Sequence, residues 1–161
     1  MNKRSLNKIF LIVLIVGIIF GIAACTQNKD ITNLEQKAFV KVAGEELTIN
    51  TVNIDDEAKF FSYDAYETEV TIFAIKASDG SIRTALDTCQ ICYDSGRGYY
   101  IQEGEELICH NCGNRFQIDQ IGVLKDGCNP IPILAEDKVE NSDTITIDKG
   151  YIKDSTRYFG Y

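Results

Sequence analysis

Histidine is almost absent from this chain: His110 is the only one among 161 residues, and it lies between two cysteines. General acid–base and nucleophilic catalysis rely most often on a histidine placed beside a nucleophile. Because the one histidine stands among cysteines spaced as metal ligands, no credible base–nucleophile pair is left. The sequence therefore argues against a hydrolase or a transferase, and we expect that the protein is not an enzyme.

Positive charge is also scarce. The chain has 16 Lys and Arg residues against 24 Asp and Glu residues, a net charge of −8. Loss of residues 1–24 would remove Lys3, Arg4 and Lys8, leaving 13 basic against 24 acidic residues and a net charge of −11. So acidic a surface excludes nucleic acid and anionic membrane surfaces as binding partners. We interpret the acidic clusters at 55–57 and 103–106 as solvated turns.

Helical periodicity is missing from residue 25 onward, where no stretch repeats apolar residues at 3,4 spacing over three turns. Residues 47–50 and 144–147 instead alternate apolar and polar side chains, and 69–76 are continuously apolar enough for a central strand. Asp79-Gly80 predicts a hairpin turn into a strand at 81–86. Further short strands are predicted at 39–42, 52–54, 60–63, 99–102, 106–108, 115–118 and 121–124. The sequence therefore predicts a small all-β domain.

The N-terminus is typical of an export signal. Lys3, Arg4 and Lys8 precede an uncharged run at 9–24 that is short for a membrane span. Ile22-Ala23-Ala24-Cys25 resembles a bacterial lipobox, in which the cysteine is diacylated and becomes the first residue. The alternative is an uncleaved anchor in which Cys25 has no role. The lipobox predicts lipidation at Cys25 and a lipid-anchored protein on the extracytoplasmic face of the cell membrane.

Three segments follow from this pattern. Residues 1–24 are predicted to be a lipoprotein signal peptide, and the polar residues 25–36 a flexible tether. Residues 37–161 are predicted to form a β metal-binding domain.

Five of the six cysteines fall between residues 89 and 128. Cys89 and Cys92 form one Cys-x-x-Cys pair, and Cys109 and Cys112 form a second after sixteen intervening residues. Two such pairs at this separation are typical of a four-thiolate metal site. Gly113 suits the tight turn that lets backbone N–H groups face the sulfurs. Structural disulfides, or thiol–disulfide exchange at either pair, are the alternatives in an exported protein.

The cysteine ligands by themselves do not determine which metal the site would bind. Four cysteines suit structural zinc, a single iron or an iron–sulfur cluster. Cys128 lies on a proline-stiffened loop at 127–132, where it is an additional ligand, a redox thiol or an inert buried cysteine. His110 is expected to face outward from the second cysteine pair.

At these residues the sequence resembles the FtrD-like family, bacterial membrane-associated proteins described as iron–sulfur containing and linked to ferrous-iron uptake. The resemblance rests on several residues around the two cysteine pairs: Cys89, Cys92, Gly98, Tyr99, Gln102, Gly104, Cys109, Cys112, Gly113, Phe116, Ile121 and the Gly127-Cys128-Asn129-Pro130-Ile131-Pro132 string. It implies an iron or iron–sulfur centre and membrane components of an iron transport system as partners.

A weaker similarity is to Rieske domains, which hold a cluster on two hairpin loops under a proline-containing loop. It implies a small Rieske-like β-sandwich or barrel with two cysteine-bearing loops. Cys92 and Cys112 stand where Rieske domains have histidines, and all-thiolate ligation should lower the reduction potential of a cluster.

The export route predicted from the N-terminus limits which metal centre the folded protein could acquire. Residues 1–8 contain no twin arginine, so the chain is expected to cross the membrane unfolded, and zinc or a single iron could be taken up afterwards. The leading prediction is an electron-transfer or redox accessory of a membrane iron or other metal transport system. A binding module with structural zinc is the alternative, and a thiol–disulfide redox protein is a further one.

Overall fold

The computed structural model describes residues 39–42, 46–124 and 127–160. The predicted signal peptide, the tether and Cys25 lie outside this part of the chain. No helix among the described residues is long and apolar enough to cross a membrane.

Among the described residues eleven strands form three sheets, and the all-β prediction is confirmed. The central sheet has the order β1-β3-β4-β5-β9: β1 Phe39–Lys41, β3 Lys59–Ala65, β4 Thr68–Lys76, β5 Ile82–Cys89 and β9 Pro130–Pro132. The second sheet has the order β10-β11-β2: β10 Lys138–Glu140, β11 Thr144–Ile147 and β2 Leu47–Asn50. The third sheet has the order β6-β7-β8: β6 Tyr100–Glu103, β7 Glu106–Cys109 and β8 Arg115–Gln117. All neighbouring strands are antiparallel except β1 and β3.

Strand β4 divides the interior into two cores because its side chains alternate between its faces. Val70, Ile72 and Ala74 belong to the first core, which the second sheet and a C-terminal helix complete. Phe73 and Ile75 belong to the second core, which also contains Leu107 of the third sheet. The five β4 side chains named here are all fully buried. The central sheet therefore lies between two apolar layers, and the third sheet packs on the face that carries Phe73.

Hydrogen bonds attach the third sheet to the central one. The buried carboxylate of Asp87 on β5 accepts from the backbone N–H of Tyr100 on β6 at 2.9 Å. Asp119, just after β8, accepts from the backbone N–H of Ser78 at 2.9 Å. These bonds set where the end of β5 meets the β6–β7 hairpin.

Two predicted strands are wrong. At 52–54 the chain turns, because the Asn50 side chain accepts from the Val52 N–H at 3.0 Å and so favours a local turn over a ladder. At 121–124 only an isolated bridge between Ile121 and Leu124 forms. Gly122 has a φ of +80° there, which reverses the chain.

Three strand or helix elements after residue 128 were not predicted: β9, β10 and a C-terminal helix. Among the described residues, strand β10 is an edge strand that pairs only with β11. Residues 130–132, expected as part of a stiff loop, form the edge strand β9, a position at which prolines are tolerated. Helix α1, Lys149–Ser155, is too short to show the three-turn periodicity by which helices were sought. The sequence feature that marks the start of this helix is its N-cap residue Asp148, whose side chain accepts a hydrogen bond from the Tyr151 N–H at 3.0 Å.

Candidate metal centre

The first cysteine pair leaves the central sheet, as predicted. Cys89 is the last residue of β5 and is fully buried. Cys92 begins a 3-10 turn at Tyr93–Ser95, and its carbonyl accepts from the Ser95 backbone N–H at 3.1 Å and from the Ser95 hydroxyl at 2.6 Å. The loop between the two sulfurs is thus fixed by its own hydrogen bonds.

The second cysteine pair leaves the third sheet in the same way. Cys109 ends β7 and is fully buried, whereas Cys112 is exposed. Gly113, at a φ of +71°, closes the turn by donating its N–H to the Cys109 carbonyl at 2.8 Å. The backbone N–H groups of Asn111 and Cys112 face the Cys109 sulfur, and that of Asn114 faces the Cys112 sulfur. Such a turn presents N–H dipoles to thiolates.

A third segment brings Cys128 to the same place. The side-chain amide of Asn114 donates to the Cys128 carbonyl at 2.8 Å, and the Gln90 N–H donates to the Asn129 carbonyl at 3.1 Å. Strand β9 begins at Pro130, which pairs with Cys89. The segment that carries Cys128 is therefore bonded to both cysteine loops.

The five sulfurs fall into two groups of three. Those of Cys89, Cys92 and Cys109 all lie within 4.8 Å of one another, and so do those of Cys92, Cys112 and Cys128. Cys92 belongs to both groups. The four predicted ligands are therefore divided between the two groups: Cys89, Cys92 and Cys109 form the first, and Cys112 joins Cys92 and Cys128 in the second. None of these five cysteines forms a disulfide.

Burial and hydrogen bonds shift the pKa values of three of these thiols. In the buried interior the charged form of Cys109 is disfavoured, and this raises the pKa of Cys109 to about 12. Burial, together with a hydrogen bond to Cys112, raises that of Cys128 to about 12. Burial also acts against ionisation of Cys112, but the Asn114 N–H and hydrogen bonds from three neighbouring thiols outweigh it, so the pKa of Cys112 is lowered. A metal ion would therefore displace protons from Cys109 and Cys128 on binding.

The surroundings of the sulfurs are apolar on the inner side and open on the outer side. Cys89, Cys92 and Cys109 are part of the second core together with Phe73 and Leu107. On the outer side Cys112 is exposed, and the Ile91 side chain is 61% exposed. His110 faces outward, as predicted, and its ring stacks on Tyr99 with ring centroids 4.5 Å apart.

Tyr100 and Asp87 position the site and were not recognised as such from the sequence. Tyr100 is fully buried opposite Cys109 in the β6–β7 ladder, and its hydroxyl interacts with the thiol of Cys89. Burial and this neighbour raise the pKa of Tyr100. Asp87 holds the Tyr100 backbone, and Gly98 lies against the backbone of the first loop. The turn of this hairpin is Gly104-Glu105, and counting back from that turn is what places Tyr100 opposite Cys109.

The donor set fits a soft metal centre. Thiolates select zinc, Cu(I) and iron–sulfur clusters over hard cations. A β domain that collects five cysteines from three segments, three of them in an apolar core, has the ligands of a cysteine-ligated metal-binding protein.

The sequence comparison identifies the family within this class. The profile of the FtrD-like family, described as "Membrane iron-sulfur containing protein FtrD-like", matches residues 52–159, more than half of the chain. The chain therefore belongs to the FtrD-like family, as the motifs predicted. No curated protein and no solved structure matches the chain, so the similarity to Rieske domains stays a prediction.

Proposed function

We propose that this chain is an exported, lipid-anchored protein that transfers electrons through an iron–sulfur or iron centre, as an accessory of a membrane iron or other metal transport system. Cys89, Cys92, Cys109 and Cys112 would hold the metal, and Cys25 would carry the lipid on the extracytoplasmic face of the membrane. The proposal is supported by the family's description as membrane iron–sulfur proteins and by the two groups of sulfurs within 4.8 Å.

One observation supports the electron-transfer role most directly: the group of five cysteine sulfurs extends from the apolar core to the protein surface. Cys89 and Cys109 are completely buried, whereas Cys112 is exposed. An iron–sulfur cluster, when bound, would supply one-electron redox chemistry. The buried cysteines and their apolar neighbours would exclude water on the inner side, and the Cys112 side would face a partner that donates or accepts the electron.

The test is the metal content and redox behaviour of the full-length chain, extracted in detergent and purified without oxygen. We expect iron, with acid-labile sulfide if a cluster is present, a visible charge-transfer spectrum and a reversible redox couple. A colourless protein with one tightly bound zinc and no couple would disprove the electron-transfer role.

That second outcome would support a binding module with structural zinc. The closed turn at Cys109 to Gly113 and the absence of a twin arginine in residues 1–8 favour it. Metal binding would then contribute to folding, so chelation should unfold the domain.

A metal-free protein whose free-thiol count changes by two under mild reductant would instead support thiol–disulfide exchange. The exposed position and lowered pKa of Cys112 are the features that fit this chemistry.

The Tyr100→Phe substitution tests how the protein tunes the proposed redox centre. It removes the hydroxyl that lies beside Cys89 and keeps the buried ring. A hydroxyl that donates to a sulfur stabilises the more negative, reduced state, so the reduction potential should fall by about 40 mV for each ~1 kcal/mol by which this interaction is stronger in the reduced than in the oxidised state. Potentiometric titration measures this shift.

Tyr93→Phe is the matched control, since Tyr93 lies in the first cysteine loop and packs its ring on Tyr158. Its potential should stay near that of the wild type. An unchanged potential in Tyr100→Phe would show that the hydroxyl does not act on the centre.

A further inference from the structure

The position of Cys92 in both sulfur groups bears on how many metal atoms the site holds. A single tetrahedral ion takes four sulfurs at about 2.3 Å, which places the sulfurs about 3.8 Å apart. Each group of three already lies within 4.8 Å, so each could close on an ion with small movements. The sulfurs are thus arranged as two overlapping half-sites.

Hydrogen bonds hold Cys128 beside both cysteine loops. Asn114 of the second loop donates to the Cys128 carbonyl, and Gln90 of the first loop donates to the carbonyl of the next residue, Asn129. Its thiol is also hydrogen-bonded to Cys112, the exposed member of the second pair. These contacts distinguish Cys128 from a cysteine that is merely close to the site in sequence.

Charge balance requires a second metal atom once all five cysteines bind as thiolates. Five bound thiolates around one divalent ion would leave three negative charges beside an apolar core, and a second divalent ion reduces this excess to one. Uncompensated charge is costly where water is excluded. Three of the five sulfurs belong to the buried second core, so the cost applies directly to this site.

We propose that the centre has two metal positions. The inner position lies among Cys89, Cys92 and Cys109, and the outer position lies among Cys92, Cys112 and Cys128. Cys92 is the thiolate shared by both, and Cys128 is a fifth protein ligand. Three thiolates are one fewer than a tetrahedral metal takes, so each position takes one further ligand from outside the chain. The inference rests on the metal-binding part of the proposed function, but not on electron transfer.

The test uses Co²⁺ as the probe. The full-length chain in detergent, stripped of metal under reductant and without oxygen, is titrated while the sulfur-to-cobalt charge-transfer and d–d bands are recorded. The wild type should saturate at two equivalents. Cys128→Ser should lose the outer position and saturate at one, and Cys92→Ser should lose tight binding at both.

Saturation of the wild type at one equivalent would overturn the proposal, as would two equivalents in Cys128→Ser. A measurement on the wild type keeps the test valid if a variant fails to fold. Alkylation with iodoacetamide, mapped by mass spectrometry, should show Cys128 protected in the cobalt-loaded chain and reactive in the stripped chain. Equal labelling of Cys128 in both would also overturn it.

The outcome is separable from that of the proposed function. If the isolated protein contains only zinc but the stripped chain binds two cobalt ions, electron transfer is disproved and the two-metal site is supported. If the isolated protein shows a reversible iron couple but the stripped chain binds one cobalt ion, electron transfer is supported and the two-metal site is disproved.

Discussion

Gly98→Ala should lower metal affinity by about 10- to 100-fold and destabilise the stripped protein by about 1–3 kcal/mol. A Cβ at this position would lie 3.0 Å from the backbone carbon and oxygen of Cys92 and 3.3 Å from the backbone nitrogen of Cys89. Backbone atoms cannot swing aside as a side chain can. The first loop would therefore have to shift, and both of its sulfurs would move with it.

Gly160→Ala provides the control, because a Cβ there meets only the Thr156 carbonyl oxygen, at 3.7 Å. Denaturant unfolding of the stripped proteins and competition titration with Co²⁺ measure the two effects separately. If Gly98→Ala bound metal as tightly as Gly160→Ala, the close approach of this segment to the first loop would have no part in shaping the site.

Phe73→Ala is expected to have the other large effect, a loss of about 3–5 kcal/mol in the free energy of unfolding. Phe73 is fully buried in the middle of β4 and belongs to the core that contains Cys89, Cys92 and Cys109. Its removal would leave a cavity on the side of the sulfurs. We therefore expect metal affinity to fall as well, by at least tenfold.

Ile72→Ala is a matched comparison from the next position of the same strand. Ile72 is also fully buried, but it faces the first core, away from the cysteines. The Ile72→Ala substitution should lower the free energy of unfolding by about 2–5 kcal/mol. The metal affinity of the folded variant should stay close to that of the wild type. Equal losses of affinity in both variants would mean that general loosening, and not the core beside the sulfurs, controls the site.

The two cores thus have separate roles in the proposed mechanism. The first core joins the second sheet and α1 to the central sheet and contains none of the described cysteines. The second core encloses the inner sulfurs and places Tyr100 against Cys89. Variants confined to one core can therefore separate stability from the properties of the metal centre.

Much of the local structure was readable from the sequence. Period-two alternation located β2 and β11, the continuous apolar run located β4, and Asp79-Gly80 located the turn into β5. The strands predicted at 81–86 and 106–108 placed each Cys-x-x-Cys pair just after the end of a strand. These features depend on neighbours a few residues apart, so the pattern carries them directly.

The missed elements depend on competition between local patterns. The Asn50 side chain captures the Val52 N–H and replaces a predicted strand with a turn. Helix α1 is held by an N-cap and by the burial of Ile152, with too few turns to show a period. In both places one side-chain hydrogen bond outweighs the average tendency of the segment.

By itself the sequence determined the strand-rich fold, the two cysteine pairs and the membership of the FtrD-like family. Only the tertiary structure decided that Cys128 joins the other sulfurs, that Cys92 belongs to both groups of three, and that Tyr100 lies against Cys89. These contacts form because β9 pairs with β5 and the third sheet packs on the Phe73 face of the central sheet. Pairing between distant segments depends on the packing of whole sheets, and no local spacing of residues encodes it.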